Sequence, residues 1–332
     1  MKKPLNVAIV GATGNVGRAI IKILEERNFP IRNIHAIASD TSIGKKVSFG
    51  MVREIVVEGL NNFDFSKVDM VFMCAGSKIS KEYSKKISDL GVRVIDKSSY
   101  NRMDSNVPLI VPEVNLNSLD ANKHKIVASP NCIATPLAVA LNPLDNAVKI
   151  KRLVIATYQS VSGKGKKAMD ELYGQTKAKY TFKEYPPKIF EKNIAFNIIP
   201  KIGDLNDNGI SEEEEKIEEE FSKIMGRNIP ISVTCVRIPT FIGHAISVNI
   251  EFEASISAQE AIEILEEADG VVIAEGNNGI TPIEAAGEDA VFISRIRNDI
   301  SRRNCLNLWT VTDNLLKGAA LNAVQIAEHM LT

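Results

Sequence analysis

Ser129-Pro130-Asn131-Cys132 carries a thiol to the junction of two elements. Ile126 to Ala128 reads as a short strand running into Pro130 and Asn131, and Ile133 to Leu141 reads as the opening turns of an apolar helix. A thiol placed there faces the unpaired N–H groups of a helix N-terminus, which favour thiolate over thiol, and the thiolate is the nucleophile. A cysteine is more often a small buried hydrophobe. Cys74 and Cys235, inside apolar strands, take that reading, and Cys305, after Arg302-Arg303-Asn304, has no evident role. Cys132 differs because ligands of open α/β sheets lie beyond the carboxyl ends of the strands.

A thiol that works at acyl level needs a general acid–base near neutral pH. The chain offers His35, His124, His244 and His329. His35 opens a strand in the first half, His124 sits in a charged loop between Lys123 and Lys125, and His329 lies three residues from the C-terminus. His244 follows Arg237-Ile238-Pro239-Thr240-Phe241-Ile242-Gly243 between two strands, where Gly243 gives it room. Arg237 shares strand parity with Val233 and Cys235, so it projects from a largely apolar face and calls for an anion; its planar fork suits a carboxylate. Ser211 to Glu214 fits a capping box, Ile217, Phe221, Ile224 and Met225 form the apolar stripe behind it, and Gly226 stops the helix. At roughly 100° per residue, Glu213 lies only about 40° from Ile217 and projects toward protein. Lys216 flanks it, while Glu212, Glu215, Glu218 and Glu219 face solvent. The inward Glu213–Lys216 pair is either a structural ion pair or a grip on a substrate ammonium and phosphate.

Gly11, Gly14 and Gly17 form a GxxGxxG pattern between a strand, Leu5 to Val10, and a helix with Ala19, Ile20, Ile23 and Leu24 at helical spacing. Gly11 permits the tight turn, Gly14 lets backbone approach a pyrophosphate, and Gly17 allows close helix–strand packing, with the helix N-terminus binding anionic oxygens. A dinucleotide and a thiolate together imply oxidation or reduction at acyl level. After the second strand comes Ser39-Asp40-Thr41-Ser42-Ile43-Gly44-Lys45. Asp40 is placed to accept from a ribose 2′-hydroxyl, Thr41 and Ser42 to donate to a 2′-phosphate; a solvated loop is the plain alternative.

Strands at Leu5 to Val10, Ile34 to Ala38, Met70 to Cys74 and Arg93 to Asp96 alternate with helices, one of them Tyr83 to Leu90 ended by Gly91. This alternation means a doubly wound parallel sheet of Rossmann type. The second half changes character: Arg152 to Tyr158, Ile231 to Arg237 and Ala245 to Ala254 read as long strands with few helices between the last two, so an α+β domain with a mixed sheet is expected there. Asn314 to Met330 reads as a final helix. The expected domains are 1–132 with 314–332 for the dinucleotide and 133–313 for catalysis and dimerisation. The 332 residues suffice for two cores, and 45% hydrophobic with 24% charged residues is ordinary for a globular chain. A formal net charge of -1 argues against a nucleic-acid surface, and no apolar run reaches a membrane span. Four scattered cysteines without a CxxC pair speak against a disulfide framework and for the cytoplasm, and no metal site is expected.

The segments Gly11 to Gly17, Ser129 to Cys132, Tyr158-Gln159-Ser160-Val161-Ser162-Gly163, and Arg237-Ile238-Pro239 through Gly243-His244, with Val111-Pro112-Glu113-Val114-Asn115 and Asp313 to Ala320, closely resemble aspartate-β-semialdehyde dehydrogenase, in order and over essentially the whole chain. The resemblance implies reversible, NADP-dependent conversion of aspartyl phosphate to aspartate semialdehyde, feeding lysine, threonine and methionine synthesis, by a homodimer. It implies that Cys132 carries a thioester, His244 is the acid–base and Gln159 orients the acyl group. By the same likeness Arg237 binds the substrate carboxylate, Glu213 its ammonium, and Arg102, Asn131 and Lys216 the phosphate. Thr13, Gly14, Asn15 and Val16, with Thr41, Ser42, Ser162, Gly163 and Asn314, resemble the cofactor contacts. The chain departs from the family at Asp40 and Thr41, where a small residue and Arg are common, which leaves NAD use open. Lys97, Tyr100 and Asn101 also depart, with Lys97 an added cation near the phosphate site. N-acetyl-glutamyl-phosphate reductase is a neighbouring reading, against which an inward Glu213 speaks, and a nucleotide-sensing protein without catalysis is the alternative of another class.

Overall fold

The computed structural model describes residues 3–50, 53–274 and 279–331. The chain forms two compact units, Met1–Asn131 with Ala319–Thr332, and Cys132–Gly318.

The first unit holds β1 (Leu5–Val10), α1 (Asn15–Glu26), β2 (Ile31–Ala38), β3 (Lys46–Phe49), β4 (Arg53–Gly59), β5 (Met70–Met73), α2 (Ser77–Asp89), β6 (Arg93–Asp96), α3 (Pro112–Asn115) and β7 (Ile126–Ala128). Among the described residues the strands form one seven-stranded sheet in the order β3-β4-β2-β1-β5-β6-β7, parallel except for the β3 edge. β1 is central, and Val7, Ala8, Ile9 and Val10 are all fully buried, as a strand covered on both faces must be. α1 closes one side through Ile20, Ile21, Ile23 and Leu24. α2 instead presents buried serines. Ser80 donates to the Asp96 carboxylate (2.6 Å), which also takes the Asn101 amide (2.7 Å) and the Ser98 N–H (2.8 Å). This buried carboxylate is therefore fully bonded, and it fixes the turn after β6. His35, expected to open a strand, lies mid-β2 and bonds Glu58 (2.8 Å).

The second unit holds α4 (Ala134–Ala147), β8 (Ile150–Gln159), α5 (Lys166–Tyr180), α6 (Glu212–Met225), β9 (Ile231–Arg237), β10 (His244–Phe252), α7 (Ala258–Glu266), β11 (Val271–Ile273), α8 (Pro282–Ala285), β12 (Val291–Asn298) and β13 (Cys305–Thr312). Its sheet runs β11-β12-β13-β10-β8-β9 among the described residues. β8 and β9 pair parallel while β10 pairs antiparallel with both β8 and β13, so the sheet is mixed as expected. α4 is buried along its first turns from Ala134 to Leu141 and packs on α6 and α7. α5 pins the irregular chain that follows it. The buried Glu171 carboxylate accepts the N–H groups of Lys188 and Ile189 (2.7 Å each) and Phe190 (3.3 Å), and Gln175 accepts those of Ile194 and Ala195.

The expected final helix is interrupted. Asp313 accepts the N–H groups of Leu315 and Leu316, a wide helical turn spans Leu316–Ala320, and α9 (Leu321–His329) follows in the first unit, packed on α1.

Candidate active site

Three strand ends meet in the second unit. Gln159 and Arg237 are the last residues of β8 and β9 and stand side by side in parallel register. His244 is the first residue of β10, whose next residue, Ala245, lies opposite Tyr158 of β8. The topology thus gathers residues that lie far apart along the chain. Gly243 makes the entry to β10 at φ +90, and a Cβ there would lie 2.5 Å from the Pro282 carbonyl oxygen, so only glycine fits.

Gln159, Arg237 and His244 are all buried. The Gln159 amide donates to the Glu213 carboxylate (3.3 Å), and Arg237 Nη1 donates to the Ser160 carbonyl (2.7 Å). Burial pulls the Arg237 pKa below the ordinary arginine value, while Glu213 first, and then the nearby Cys132 and Cys235 sulfurs, act to raise it. That coupling places the Cys132 sulfur and the Glu213 carboxylate within electrostatic reach of one guanidinium. Cys132 itself is half-buried, not sealed in hydrocarbon, and lies just before the N-cap of α4, where Ile133 supplies no side-chain cap. Gly318 lets the chain pass close, since a Cβ there would sit 3.2 Å from the Cys132 Cβ. Burial pushes the Cys235 thiol up, and holds Cys74 at about 12 against the opposing charge of Lys97, as befits structural cysteines.

His244 is held by its Nδ1. That atom accepts the Ser160 N–H (3.1 Å) and lies 3.1 Å from the Ser160 hydroxyl. Behind it, Asn314 accepts the Gly243 N–H (2.9 Å) and donates to Ser162 Oγ (2.9 Å), which is 3.0 Å from Ser160 Oγ. Burial, then the charge of Arg237, lowers the His244 pKa to about 3, against a smaller upward pull from the Gly243 carbonyl. Gly163 packs on this pair: a Cβ there would stand 3.2 Å from Arg237 Nη1 and 3.4 Å from His244 Nε2. Ser162 and Asn314, expected among cofactor contacts, thus spend their side chains bracing the histidine.

The glutamate helix departs from expectation in one respect. Glu213 turns inward, but Lys216 pairs with Glu212 one turn back (3.4 Å). The i,i+4 spacing suits that pair and leaves Glu213 to Gln159. Glu214 closes the capping box read from the sequence, one oxygen accepting the Ser211 N–H (2.7 Å), but it is also buried and its other oxygen accepts the Cys235 N–H (2.8 Å) on the open edge of β9, a second job its sequence position does not announce. Ser160 was missed as a site residue.

In the first unit, Arg102 is buried and donates to the carbonyls of Ser129 (3.0 Å) and Lys97 (2.7 Å), while Lys97 donates to the Pro130 carbonyl. Both cations brace the segment that ends in the buried Asn131. Asp40, Thr41 and Ser42 form a tight 3-10 turn, not a loose loop. Asp40 accepts from Asn61 (3.2 Å), Thr41 Oγ1 lies 3.1 Å from Ser39 Oγ, and Ser42 accepts from Lys45 (3.3 Å). In the glycine loop, Gly11 sits at φ +90 and a Cβ there would lie 2.7 Å from the Cys74 carbonyl; a Cβ on Gly17 would lie 2.4 Å from the Gly11 carbonyl. Thr13 accepts from Arg18 through its carbonyl (3.2 Å), and α1 begins at Asn15, Val16 and Gly17 behind Gly14, an N-cap without a side-chain bond.

The family model described as "Semialdehyde dehydrogenase, NAD binding domain" matches residues 6–122, and "Semialdehyde dehydrogenase, dimerisation domain" matches residues 141–317. Aspartate-semialdehyde dehydrogenase of Rickettsia conorii is 58% identical over 100% of this chain and 99% of its own. That of Aquifex aeolicus is 47% identical over 98% and 97%. The crystal structure of aspartate semialdehyde dehydrogenase II from Vibrio cholerae complexed with ASA superposes with a TM-score of 0.95 at 41% identity, covering 99% of this chain and 98% of that one. The chain belongs to the aspartate-semialdehyde dehydrogenases.

An aspartate-semialdehyde dehydrogenase needs a nicotinamide dinucleotide, and the first unit fits one. Gly11 and Gly17 let the loop close against its own backbone, where any Cβ would collide, and the uncapped start of α1 presents N–H groups to a pyrophosphate. Among the described residues no group of three or more His, Cys, Asp or Glu side chains could hold a metal ion, and no helix is long and apolar enough to cross a membrane.

Proposed function

We propose that this chain catalyses the reversible, NADP-dependent reductive dephosphorylation of L-aspartyl-4-phosphate to L-aspartate-4-semialdehyde through a thioester on Cys132. The observation that carries this reading is that Arg237 and Gln159 end adjacent strands, that Gln159 holds the Glu213 carboxylate, and that Glu213 and the Cys132 sulfur both act electrostatically on the Arg237 guanidinium. Aspartate presents an α-carboxylate and an α-ammonium next to its reacting carbonyl, and Arg237 and Glu213 are their counterparts. Cys132 attacks the acyl phosphate, its C–S bond forms, and phosphate leaves with the C–O bonding pair. When bound, the nicotinamide supplies the hydride in this direction and takes it up in the reverse. Gln159, anchored on Glu213, orients the acyl oxygen, and His244 is the acid–base partner acting at Nε2. Asn131, Arg102 and Lys216 serve the phosphate, Arg102 in part by fixing the carbonyl of Ser129. An inward Glu213 suits a free ammonium and disfavours an N-acylated substrate. The product would feed lysine, threonine and methionine synthesis.

For the cofactor, NADP is favoured by the turn after β2. Asp40 is occupied by Asn61, while Thr41, Ser42 and Lys45 offer donors for a 2′-phosphate. Gly11 to Gly17 and Gly163 would take the remaining contacts. A homodimer is supported by the match to a dimerisation domain and by the apolar surface of the second unit, where Tyr173, Tyr180, Phe182, Phe196 and Ile198 are exposed.

Reduction of each nicotinamide with aspartate semialdehyde and phosphate, followed by absorbance, tests the reading. Turnover should require phosphate, prefer NADP and vanish in Cys132→Ala. Residual turnover in that variant would remove the assigned nucleophile, and a preference for N-acetylglutamate semialdehyde would move the chain to the neighbouring enzyme. Thr41→Arg with Asp40→Ala should strengthen NADP binding relative to NAD; unchanged selectivity would mean that the ribose is read elsewhere.

A further inference from the structure

The chemistry of His244 depends on which ring nitrogen carries its proton, and two backbone groups answer this. A backbone N–H can only donate. The Ser160 N–H reaches Nδ1 at 3.1 Å, so Nδ1 is an acceptor and holds no proton. At the far end, the Gly243 N–H reaches Asn314 Oδ1 at 2.9 Å, which orients that amide and turns its Nδ2 to Ser162 Oγ. The Asn314 amide donates to Ser162 Oγ, the two serine hydroxyls stand 3.0 Å apart, and the acceptors Nδ1 and Asn314 Oδ1 lie within reach of the Ser160 hydroxyl, with Oδ1 also 3.1 Å from Ser162 Oγ, an arrangement that accommodates an unprotonated Nδ1. Nε2, at the opposite edge of the ring, has no hydrogen-bond partner among the described residues. It faces the space left by the missing side chain of Gly163.

We propose that the Ser160 amide, backed by the Ser160–Ser162–Asn314 network, holds His244 as the neutral Nε2–H tautomer, so that it meets the substrate as a fixed hydrogen-bond donor to the oxyanion, with Ser160 and Asn314 as positioning residues. The inference rests on the reading of Cys132 and His244 as partners and gives the histidine, at the addition step, the part of a hydrogen-bond donor. When the thiolate adds to the aldehyde, a C–S bond forms and the carbonyl π pair moves onto oxygen; Nε2–H bonds that oxygen and keeps its proton. Neutrality agrees with the surroundings. The charged group facing the ring is Arg237, from β9, and the other groups around it, Ser160, Ser162, Asn314 and the Gly243 carbonyl, are uncharged. A second positive charge beside Arg237 is disfavoured, and burial acts in the same direction.

The test is nitrogen-15 NMR of the full chain labelled at histidine, with His244→Gln to assign the signal. At neutral pH Nδ1 should read as unprotonated and Nε2 as protonated. An Nδ1–H or doubly protonated ring would overturn the proposal. Ser160→Ala, which keeps the amide, should keep the tautomer. Replacing Ser160 by its α-hydroxy acid counterpart turns the peptide N–H into an ester oxygen, which deletes the donor without adding an atom toward Nδ1, where a proline ring would collide. That variant should show Nδ1–H and lose roughly 100-fold in kcat, the scale of one oxyanion donor, with KM for the cofactor unchanged. A ring that stays Nε2–H in the ester variant would also overturn it. Should that variant not fold, the native spectrum alone decides. The tautomer is read without substrate, so its failure is separate from residual turnover in Cys132→Ala, which would sink the nucleophile and leave the tautomer standing.

Discussion

A single methyl group can measure how tightly the site is built. Gly163 has ordinary backbone angles, yet a Cβ there would stand 3.2 Å from Arg237 Nη1 and 3.4 Å from His244 Nε2. Neither neighbour can move freely: Arg237 is tied to the Ser160 carbonyl and His244 to the Ser160 amide. Gly163→Ala should therefore fold with thermal stability near native while kcat falls about tenfold, because small misplacements of reacting groups are costly; an unchanged kcat would mean that the glycine is mere surface chain. Glu213→Gln keeps shape and loses the charge facing Gln159 and Arg237, so the KM for aspartate semialdehyde should rise more than tenfold with KM for the cofactor unchanged. Cys132, Arg237 and His244 were legible in the sequence because their types are unusual at their positions: a thiol at a strand–helix junction, an arginine on an apolar strand face, a histidine behind glycine. Ser160 and the second job of Glu214 were not, since each acts through backbone groups of segments far away in the chain, and a serine or a capping glutamate looks alike whether or not such a partner exists.

Elements show the same division. The capping box that starts α6 was readable, but not that Glu214 would use its second oxygen on β9. β9 is the sheet edge, and its outward N–H groups need partners; Glu214 takes that of Cys235, and Ile199 pairs with Arg237 in both directions (2.8 and 3.0 Å). Glu214→Ala frees both the cap and the edge donor, and should cost about 2–3 kcal/mol in denaturant unfolding. It should also lower kcat, because Arg237 lies two residues beyond Cys235; a loss below about 0.5 kcal/mol would show that solvent satisfies the edge as well as the carboxylate does. β1, β2, β5 and β6 were legible as apolar runs punctuated by glycine. β3 and β4 were overlooked although β4 alternates, Ile55 and Val57 in, Glu54, Val56 and Glu58 out. β12 is hidden by a register shift between Ser294 and Arg297, with Arg295 at φ 58 breaking the alternation. The last helix was drawn too long because its apolar pattern runs on through the wide turn at Leu316–Ala320, while the stop signal, Asp313 holding two N–H groups, is a contact rather than a residue type.

At the scale of the whole molecule, the buried histidine links catalysis to stability. Folding lowers the His244 pKa from 6.5 to about 3, so between those values the unfolded chain binds a proton that the native chain does not. Stability then rises with pH across this window: the contribution is fully present above the unfolded value and is lost as pH falls toward 3, at about 1.4 kcal/mol per pH unit. Carboxylates whose pKa values are lowered in the fold behave differently. Asp145, held by Arg227, the Ile150 N–H and Lys149 against the upward pull of burial, and Glu251, held by Arg302 and Lys151, have ordinary values of 3.8 and 4.5, so they begin to cost stability only below that range. The interval from pH 6.5 to 4.5 therefore isolates the histidine from these acids. Unfolding free energies measured at fixed protein concentration, so that any dimer contributes equally, should fall by about 2.5 kcal/mol more for the native chain than for His244→Gln over that interval. Parallel pH curves would mean that the imidazole becomes charged inside the fold. A ring that takes up a proton there must give up the Ser160 amide as its Nδ1 donor, so the stability curve and the tautomer spectrum examine one hydrogen bond from opposite ends.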